Sequence, residues 1–280
     1  MRRATARRRL RWSRHEHAPE PLAFAAAIAT DRSDHATEPM AFAVPIATDR
    51  SEEAMNIFVA GATGATGQVF VPMAEKAGHS LTLHVRPKSR DKTPLGKDPR
   101  AKVFELSDDA AMDAALVGQD AVVSFVGTMR SRFSEGEDYS TSDVASAKAL
   151  AASAKRVGVP RLLLLSSVGA GGMGAYLRMK LACEDAVRDQ GIQWTFFRPS
   201  ILVSPAWAHD GNHGKRAAPF GTTAFLGGIA FIPGLRGVSL DYKPIPLERV
   251  CKGFLEALAK PEAYDGKIVL GRHLWELAVP

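Results

Sequence analysis

The stretch Asn56–Gly67, NIFVAGATGATG, places a short apolar strand before three glycines that recur every third residue, namely Gly61, Gly64 and Gly67. The residues that follow, QVFVPMAEKAG, have apolar side chains at helical spacing, so the pattern predicts a strand, a tight turn and a helix. Glycines let such a turn close and let a ligand approach the bare backbone, and the unpaired N–H groups at the start of a helix attract anions. The stretch therefore predicts a pyrophosphate-binding turn. An ordinary strand–turn–helix unit is the alternative.

The second strand that the sequence predicts, Leu81–Val85, ends at a residue that discriminates between dinucleotides. At this distance from the glycines, a site for NAD(H) carries a carboxylate that binds the ribose 2′-hydroxyl, whereas an arginine suits the 2′-phosphate of NADP(H). The residue at this position is Arg86. The sequence therefore favours NADP(H) over NAD(H) as the cofactor.

The positive charge of the core is concentrated directly after this strand. The whole chain has a formal net charge of +6, and residues 86–102 hold seven basic residues against two acidic ones. Positive potential there would attract a 2′-phosphate. No aromatic residue interleaves with these bases, so we expect no nucleic-acid partner. A solvated basic loop is the interpretation we favour for four of them, Lys92, Lys97, Arg100 and Lys102.

The first 54 residues differ from the rest of the chain. Residues 1–14 contain seven arginines and no acidic residue, and Glu20–Ala36 recurs as Glu38–Ala54 with a period of 18 residues. Two copies are fewer than the three or so that a repeat architecture needs. We therefore expect residues 1–54 to be a disordered or non-native extension, with Met55 as the natural start and residues 55–280 as the domain. An organelle-targeting arm is the alternative, because Arg-rich, acid-poor starts have that composition.

The remaining sequence alternates strands with helices, which predicts an α/β fold with a doubly wound parallel sheet. The predicted strands are Ala101–Leu106, Ala121–Val126 and Arg161–Leu165, and the predicted helices are Asp109–Leu116, Val144–Val157, capped by Ser142 and Asp143, and Leu247–Ala259. We expect residues 129–139 to lie over the carboxyl edge of the sheet, where such folds bind ligands.

Residues 204–240 are expected to form a small C-terminal substrate lobe. Its possible polar contacts are His209, His213, Lys215 and Arg216. We expect the apolar segment Phe220–Leu235 to line a pocket, with a dimer contact or a membrane-surface patch as alternatives. The chain has only two cysteines, no metal-ligand spacing and no run of 18 apolar residues. We therefore expect no disulfide framework, no metal, no membrane-spanning segment and a cytoplasmic location.

Tyr176 and Lys180 lie four residues apart at the start of a further predicted helix, which runs to about Gln190. This spacing places both side chains on one helix face, one turn apart. A lysine ammonium close to a tyrosine hydroxyl favours the phenolate, which suits an acid/base group. The hydroxyl of Ser167, at the end of the preceding strand, could hold a carbonyl oxygen in line. A surface tyrosine beside a solvated lysine is the alternative.

Together these motifs resemble the atypical short-chain dehydrogenase/reductases, the NAD(P)H-binding and NmrA-like group, and in particular members similar to the Tat-interacting oxidoreductase-like proteins. The resemblance covers Met55 to about Leu270 and rests on GATGATG, Arg86, LLLLSSVGA, Tyr176 with Lys180, and IQWTFFRPSILV. It implies a Rossmann-type sheet and a pyrophosphate site made by Gly61, Thr63, Gly64, Ala65, Thr66 and Gly67. It further implies contacts of Arg86 with the 2′-phosphate, of Leu106 and Gly127 with adenine and ribose, and of Pro199 with the nicotinamide.

The resemblance also implies a catalytic group. Tyr176 would donate or accept the proton, Lys180 would hold the nicotinamide ribose and tune Tyr176, and Ser166 or Ser167 would orient the substrate oxygen. The nine residues from Ser167 to Tyr176 are a shorter gap than in the hydroxysteroid-type enzymes. The identity of the serine is therefore left open at this point.

The function that these expectations favour is an NADP(H)-dependent oxidoreductase. It would transfer a hydride between the nicotinamide and a small, fairly apolar carbonyl or alcohol substrate, as a monomer or homodimer. One alternative is a non-catalytic NADP(H)-binding redox sensor or assembly protein, because many relatives have lost a catalytic residue. A second alternative is an epimerase or isomerase that retains its cofactor.

Overall fold

A parallel sheet forms the centre of the molecule. The computed structural model describes residues 54–127, 143–204 and 236–277. Within these ranges the strands are β1 (Asn56–Ala60), β2 (Ser80–Val85), β3 (Ala101–Val103), β4 (Ala121–Ser124), β5 (Arg161–Leu165), β6 (Gln193–Arg198), β7 (Leu202–Val203), β8 (Ile245–Pro246) and β9 (Lys267–Leu270). Seven of them form one sheet in the order β3-β2-β1-β4-β5-β6-β9, with every neighbouring pair parallel. β7 and β8 make a separate parallel pair.

This strand order confirms the predicted doubly wound α/β fold. The chain moves outward from β1 to β3, returns to β4 beside β1, and then moves outward in the other direction. The described helices are α1 (Ala65–Lys76), α2 (Asp109–Leu116), α3 (Ala145–Val157), α4 (Ala175–Arg188), α5 (Arg236–Tyr242), α6 (Leu247–Ala259), α7 (Pro261–Tyr264) and α8 (Gly271–Glu276). Two short 3₁₀ helices, Pro87–Ser89 and Pro94–Lys97, follow β2.

Both faces of the sheet are covered by helices. On one face α1, α6 and α8 pack through residues such as Phe70, Phe254 and Leu274. On the other face α2, α3 and α4 pack through residues such as Met112 and Leu150. Strands buried on both faces carry apolar side chains at consecutive positions, which explains why β4 has no polar face. This packing fixes the sheet edge at which the candidate site lies.

Most predicted elements occur close to their expected bounds, but two strands are shorter than predicted. β3 ends at Val103 rather than Leu106, because its partner β2 ends at Val85, opposite Val103. β4 ends at Ser124 rather than Val126, because its partner β1 ends at Ala60, opposite Ser124. In both cases the neighbouring strand, and not the strand's own residues, sets the end of the ladder.

Other differences concern helix starts and the C-terminal region. α3 is preceded by Val144, whose backbone is already helical (φ −69°, ψ −45°) and whose side chain makes no capping hydrogen bond. The N-cap position of α3 is therefore Val144 and not Asp143. Strands β6 and β9 and helices α5, α7 and α8 were not among the predicted elements. The predictions for residues 129–139, Ser142, the four polar residues of 209–216 and the apolar segment Phe220–Leu235 lie outside the described residues.

Candidate functional site

The residues of the predicted site lie at one edge of the sheet. All strands in the seven-stranded sheet are parallel, so their carboxyl ends meet at the same edge. Six predicted site positions come directly after, or within three residues of, six different strand ends: Gly61, Arg86, Leu106, Gly127, Ser166 and Pro199. The fold thus brings together residues that are up to 138 positions apart in sequence.

The glycine-rich turn is shaped by close backbone contacts. Gly61 has φ +83°, which favours glycine, and a methyl group placed on it would lie 3.0 Å from the carbonyl carbon of Phe125. A methyl group on Gly67 would clash with the Gly61 carbonyl oxygen and would lie only 2.6 Å from the Ala62 carbonyl oxygen. Gly64 is exposed, and a methyl group there would approach only the Gly61 oxygen, at 3.2 Å. Gly61 and Gly67 therefore shape the turn, and Gly64 is its open position.

Helix α1 begins at Ala65, so its first backbone N–H groups point towards the open side of this turn. The Gly64 amide donates a hydrogen bond to the Gly61 carbonyl (3.0 Å), and the Thr63 carbonyl accepts one from Gln68 Nε2 (3.1 Å). The turn is thus braced by its own backbone. Its anion-attracting end has the arrangement expected of a pyrophosphate site.

The underside of the turn packs on the C-terminal half of the chain. Thr66 is buried, and its carbonyl accepts a weak hydrogen bond from Cys251 Sγ at 3.6 Å. Burial raises the pKa of the Cys251 thiol well above its usual range, and it raises the pKa of Cys183 to about 12. A buried thiol that stays protonated is a weak nucleophile.

Arg86 comes directly after β2 and precedes the 3₁₀ helix Pro87–Ser89. It is partly exposed at the carboxyl edge. Two other basic residues of the segment 86–102 form ion pairs. Lys97 Nζ lies 3.3 Å from Asp91 Oδ1, and Arg100 pairs with both Glu75 and Asp98. These pairs neutralise two of the six other basic residues of the segment.

Tyr176 and Lys180 share one face of α4, as their spacing predicts. Lys180 Nζ lies 5.8 Å from the centre of the Tyr176 ring, within the range of a cation–π contact. The two side chains differ in exposure, because Tyr176 is 41% exposed whereas the Lys180 side chain is only 7% exposed. The aromatic ring is accessible to a ligand, and the ammonium beside it is shielded from bulk water.

A buried acid lies next to this lysine. Asp143 Oδ2 is 3.9 Å from Lys180 Nζ, and its side chain is 1% exposed. A methyl group placed on Gly127 would lie 3.5 Å from Lys180 Nζ and 3.9 Å from Asp143 Oδ2. The end of β4 is therefore in direct proximity to both charges. Sequence reasoning missed Asp143 because nothing in its spacing connects it to α4.

The two candidate serines have different surroundings. Ser166 is buried, and its hydroxyl donates a hydrogen bond to Glu184 Oε1 at 2.5 Å. Ser167 is partly exposed, and its hydroxyl makes only a long contact, 3.4 Å, with the Val168 carbonyl. Ser166 is therefore committed to the interior, and Ser167 is more accessible at the edge.

Glu184 belongs to a set of buried polar side chains that the sequence analysis also missed. Its fully buried carboxylate accepts two hydrogen bonds from Arg198, at 2.9 and 2.8 Å, and one from Arg188 at 3.3 Å. Arg188 also lies over the Trp194 and Phe196 rings of β6. We call Ser166, Glu184, Arg188 and Arg198 the Glu184 cluster. A sequence signal existed, because Tyr176, Lys180, Glu184 and Arg188 recur every four residues along one helix face.

The Glu184 cluster fixes α4 to the carboxyl ends of β5 and β6. Ser166 follows β5, and Arg198 is the last residue of β6. Pro199 comes next, is buried, and its carbonyl accepts a hydrogen bond from the Val168 amide at 2.9 Å. Leu106 is also buried, in the apolar core beneath the edge, while Gly127 is exposed. Of these predicted contact residues, Gly127 is the most accessible to a ligand.

The described residues contain neither a metal-ligand cluster nor a membrane-spanning helix. Across residues 54–127, 143–204 and 236–277, no group of three or more metal-ligating side chains occurs. In the same part of the chain, no helix is long and apolar enough to cross a membrane.

The chain is similar to known proteins over the region that holds this geometry. Residues 61–225 match the protein family described as NAD(P)H-binding. The chain is 33% identical over 157 residues to a (4-alkanoyl-5-oxo-2,5-dihydrofuran-3-yl)methyl phosphate reductase of Streptomyces griseus subsp. griseus, over 54% of this chain and 50% of that protein. It is 29% identical over 160 residues to protein FMP52, mitochondrial, of Candida albicans, over 53% of this chain and 68% of that protein.

The chain thus spans about half the length of the first of these relatives. Among solved structures, it resembles a Rossmann-fold NAD(P)-binding family protein from Shigella flexneri, with a TM-score of 0.50 at 20% identity, over 76% of this chain and 90% of that one. A likeness at this identity concerns the fold. The family match covers more than half of the sequence and includes the glycine-rich turn, Arg86 and the Tyr176–Lys180 pair. The chain belongs to the NAD(P)H-binding family.

Proposed function

We propose that this protein is an NADP(H)-dependent oxidoreductase that transfers a hydride between the nicotinamide and a small, fairly apolar carbonyl or alcohol substrate. One observation carries the proposal: the glycine-rich turn and the Tyr176–Lys180 pair meet through the end of β4. A methyl group on Gly61 would lie 3.0 Å from the Phe125 carbonyl carbon, and two residues after Phe125 a methyl group on Gly127 would lie 3.5 Å from Lys180 Nζ. A dinucleotide that begins at the turn and follows this edge would reach Tyr176.

The residues at the turn suit a dinucleotide. Gly64 leaves the backbone open, and the start of α1 offers N–H groups and a positive dipole end to a pyrophosphate. Arg86, directly after the neighbouring strand β2, would bind the 2′-phosphate of NADP(H). When bound, the nicotinamide would supply or accept the hydride.

In the direction of reduction, Tyr176 would donate its hydroxyl proton to the carbonyl oxygen of the substrate. Its 41% exposure leaves room for that contact. Lys180 would contact the ribose and stabilise the phenolate that Tyr176 becomes. Ser167, rather than Ser166, would hold the substrate oxygen, because the Ser166 hydroxyl is engaged by Glu184. The name of the Streptomyces griseus relative, a reductase, supports reduction as the reaction class.

The cofactor part of the proposal is tested by titrating NADPH and NADH into wild type, Arg86→Ala and Lys92→Ala. Lys92 is an exposed base of the same segment and serves as the matched control. Loss of charge-assisted hydrogen bonds to a phosphate should weaken NADPH binding by about tenfold or more in Arg86→Ala. NADH binding, and NADPH binding by Lys92→Ala, should stay near the wild-type values. If wild type binds neither nucleotide, the proposal is wrong.

The catalytic part is tested by following NADPH oxidation with aldehydes, ketones and quinones. Tyr176→Phe should lower turnover by about a hundredfold or more, because it removes the proton donor. Tyr264→Phe is the control, since Tyr264 precedes β9 and so lies at the opposite edge of the sheet. Cofactor binding without turnover of any substrate would favour a redox sensor over an enzyme. Equal rates in wild type and Tyr176→Phe would contradict the role of Tyr176.

A further inference from the structure

The Asp143–Lys180 ion pair is more deeply buried than an ion pair that only neutralises charge needs to be. The side chains are 1% and 7% exposed, and the 3.9 Å between Oδ2 and Nζ is longer than a direct hydrogen bond. The described ion pair Arg161–Asp265 is closer, at 3.4 Å, yet more exposed, at 14% and 21%. A lysine that served only to neutralise a surface acid would gain nothing from being enclosed in this way.

The pair lies where three parts of the chain meet. Asp143 comes just before α3, Lys180 lies in the second turn of α4, and Gly127 of the β4 end lies against both charges. A methyl group on Gly127 would make van der Waals contact with the ammonium, at 3.5 Å, so a larger side chain there would cover it further. Removing one partner of such a pair leaves the other as an uncompensated buried charge.

We propose that Asp143 is a positioning residue, which holds the Lys180 ammonium at the carboxyl end of β4 and acts on cofactor and substrate only through that ammonium. This inference rests on the proposed function for its catalytic consequence. Asp143 is enclosed, so direct contact with a substrate is not its role. Its carboxylate keeps the neighbouring cation in one place, beside the Tyr176 ring, from which Lys180 would contact the ribose of a bound cofactor.

The first experiment measures whether the two charges are coupled in the folded protein. Urea unfolding is followed for wild type, Asp143→Asn, Lys180→Met and the double variant. Each single variant removes one charge of the pair and the double variant removes both, so the losses should be strongly non-additive, with a coupling of about fivefold or more in the unfolding equilibrium constant. Additive losses would overturn the pairing. This readout does not depend on any activity.

The second experiment measures whether Asp143 acts through Lys180. In the wild-type background, Asp143→Asn should lower kcat/KM for NADPH oxidation by about tenfold, whereas in the Lys180→Met background it should have no further effect. A merely structural role would produce the same loss in both backgrounds and would overturn the proposal. Asp265→Asn is the control. It breaks the Arg161–Asp265 ion pair, in which Asp265 directly follows α7, and it should leave kcat/KM within about twofold of the wild-type value.

The two proposals fail in different ways. If wild type binds no nicotinamide cofactor, both the proposed function and the catalytic role of Asp143 are wrong. Non-additive losses of stability in urea unfolding would still show that Asp143 and Lys180 interact. If wild type binds NADPH and reduces a substrate, but Asp143→Asn is equally harmful with and without Lys180, only the positioning role is overturned.

Discussion

Gly64 and Gly67 belong to the same turn but should respond differently to the same change. In Gly67→Ala the new methyl group would meet two backbone carbonyls that cannot move aside, so we expect a loss of about 2 kcal/mol or more in the free energy of unfolding. Gly64 has φ −75° and ψ 166°, which any residue adopts, and its new methyl group would approach one backbone oxygen at 3.2 Å, so Gly64→Ala should cost less than about 1 kcal/mol.

The same Gly64→Ala variant should bind NADPH about tenfold more weakly, because its methyl group would lie on the open side of the turn, where a phosphate approaches the backbone. Urea unfolding and fluorescence titration of the two variants separate the effects. A Gly67→Ala protein as stable as wild type, or a Gly64→Ala protein with unchanged affinity, would contradict these assignments.

Individual site residues could be predicted where local chemistry is specific, and could not where proximity depends on packing. Arg86 and the three glycines follow from strand–turn–helix geometry and the charge of a phosphate. Asp143 does not, because its relation to Lys180 arises only when α3 and α4 pack side by side. Burial likewise separates Ser166 from Ser167, although the two are neighbours in sequence.

Helix α4 depends on Glu184 for its position. Glu184→Ala would leave Arg198, whose side chain is 12% exposed, without its carboxylate, and would free the Ser166 hydroxyl. We expect a loss of about 3–5 kcal/mol in the free energy of unfolding, as for other broken buried pairs. Thermal or urea unfolding measures it.

The matched control for this change is Glu256→Ala in α6. Glu256 also pairs with a base four residues away, Lys260, but that base is 57% exposed. Exposed helix pairs contribute about 0.5 kcal/mol or less. Equal losses in the two variants would mean that the Glu184 cluster does not anchor α4.

The bounds of elements could be predicted best where they are set by the element's own sequence. α2 and α6 have the predicted ends, because an acidic cap at Asp108 and the Leu247–Ala259 apolar pattern are local signals. β3 and β4 end early because strand ends depend on the partner strand. β9 was missed because its short segment, KIVL, becomes a strand only by pairing with β6.

The stability of the whole molecule should fall as the pH drops, partly because of His84. Burial, reinforced by the charge of Arg86, lowers the pKa of His84 from 6.5 to about 4, against the opposing effect of its hydrogen bond with the Phe104 carbonyl. Between these values the unfolded chain binds more protons, so the free energy of unfolding rises with pH from about 4 to 6.5. Over this pH range His84 changes the free energy of unfolding by about 3 kcal/mol.

His84→Gln keeps a hydrogen-bond donor but does not ionise in this range. Urea unfolding of wild type and His84→Gln is compared at pH 4.5 and 7. The difference between the two proteins separates the effect of His84 from that of the carboxyl groups that titrate in the same pH range. The variant should lose less stability than wild type on acidification. Identical pH dependence would show that His84 does not resist protonation in the folded state.

The arrangement of the molecule as a whole was the most predictable part. Alternating strands and helices, with a glycine-rich turn after β1, fix the doubly wound sheet and therefore the edge that carries the site. The expectation that the domain starts at Met55 stays a prediction.

The Glu184 cluster has a consequence for the thermodynamics of ligand binding. Its hydrogen bonds join α4, β5 and β6 within the protein itself, so this part of the site is assembled before any ligand arrives. Binding there need not be coupled to folding, and little conformational entropy is lost when the nicotinamide end docks. The heat-capacity change of binding should therefore be no larger than the apolar surface that the ligand and this part of the site bury against each other accounts for.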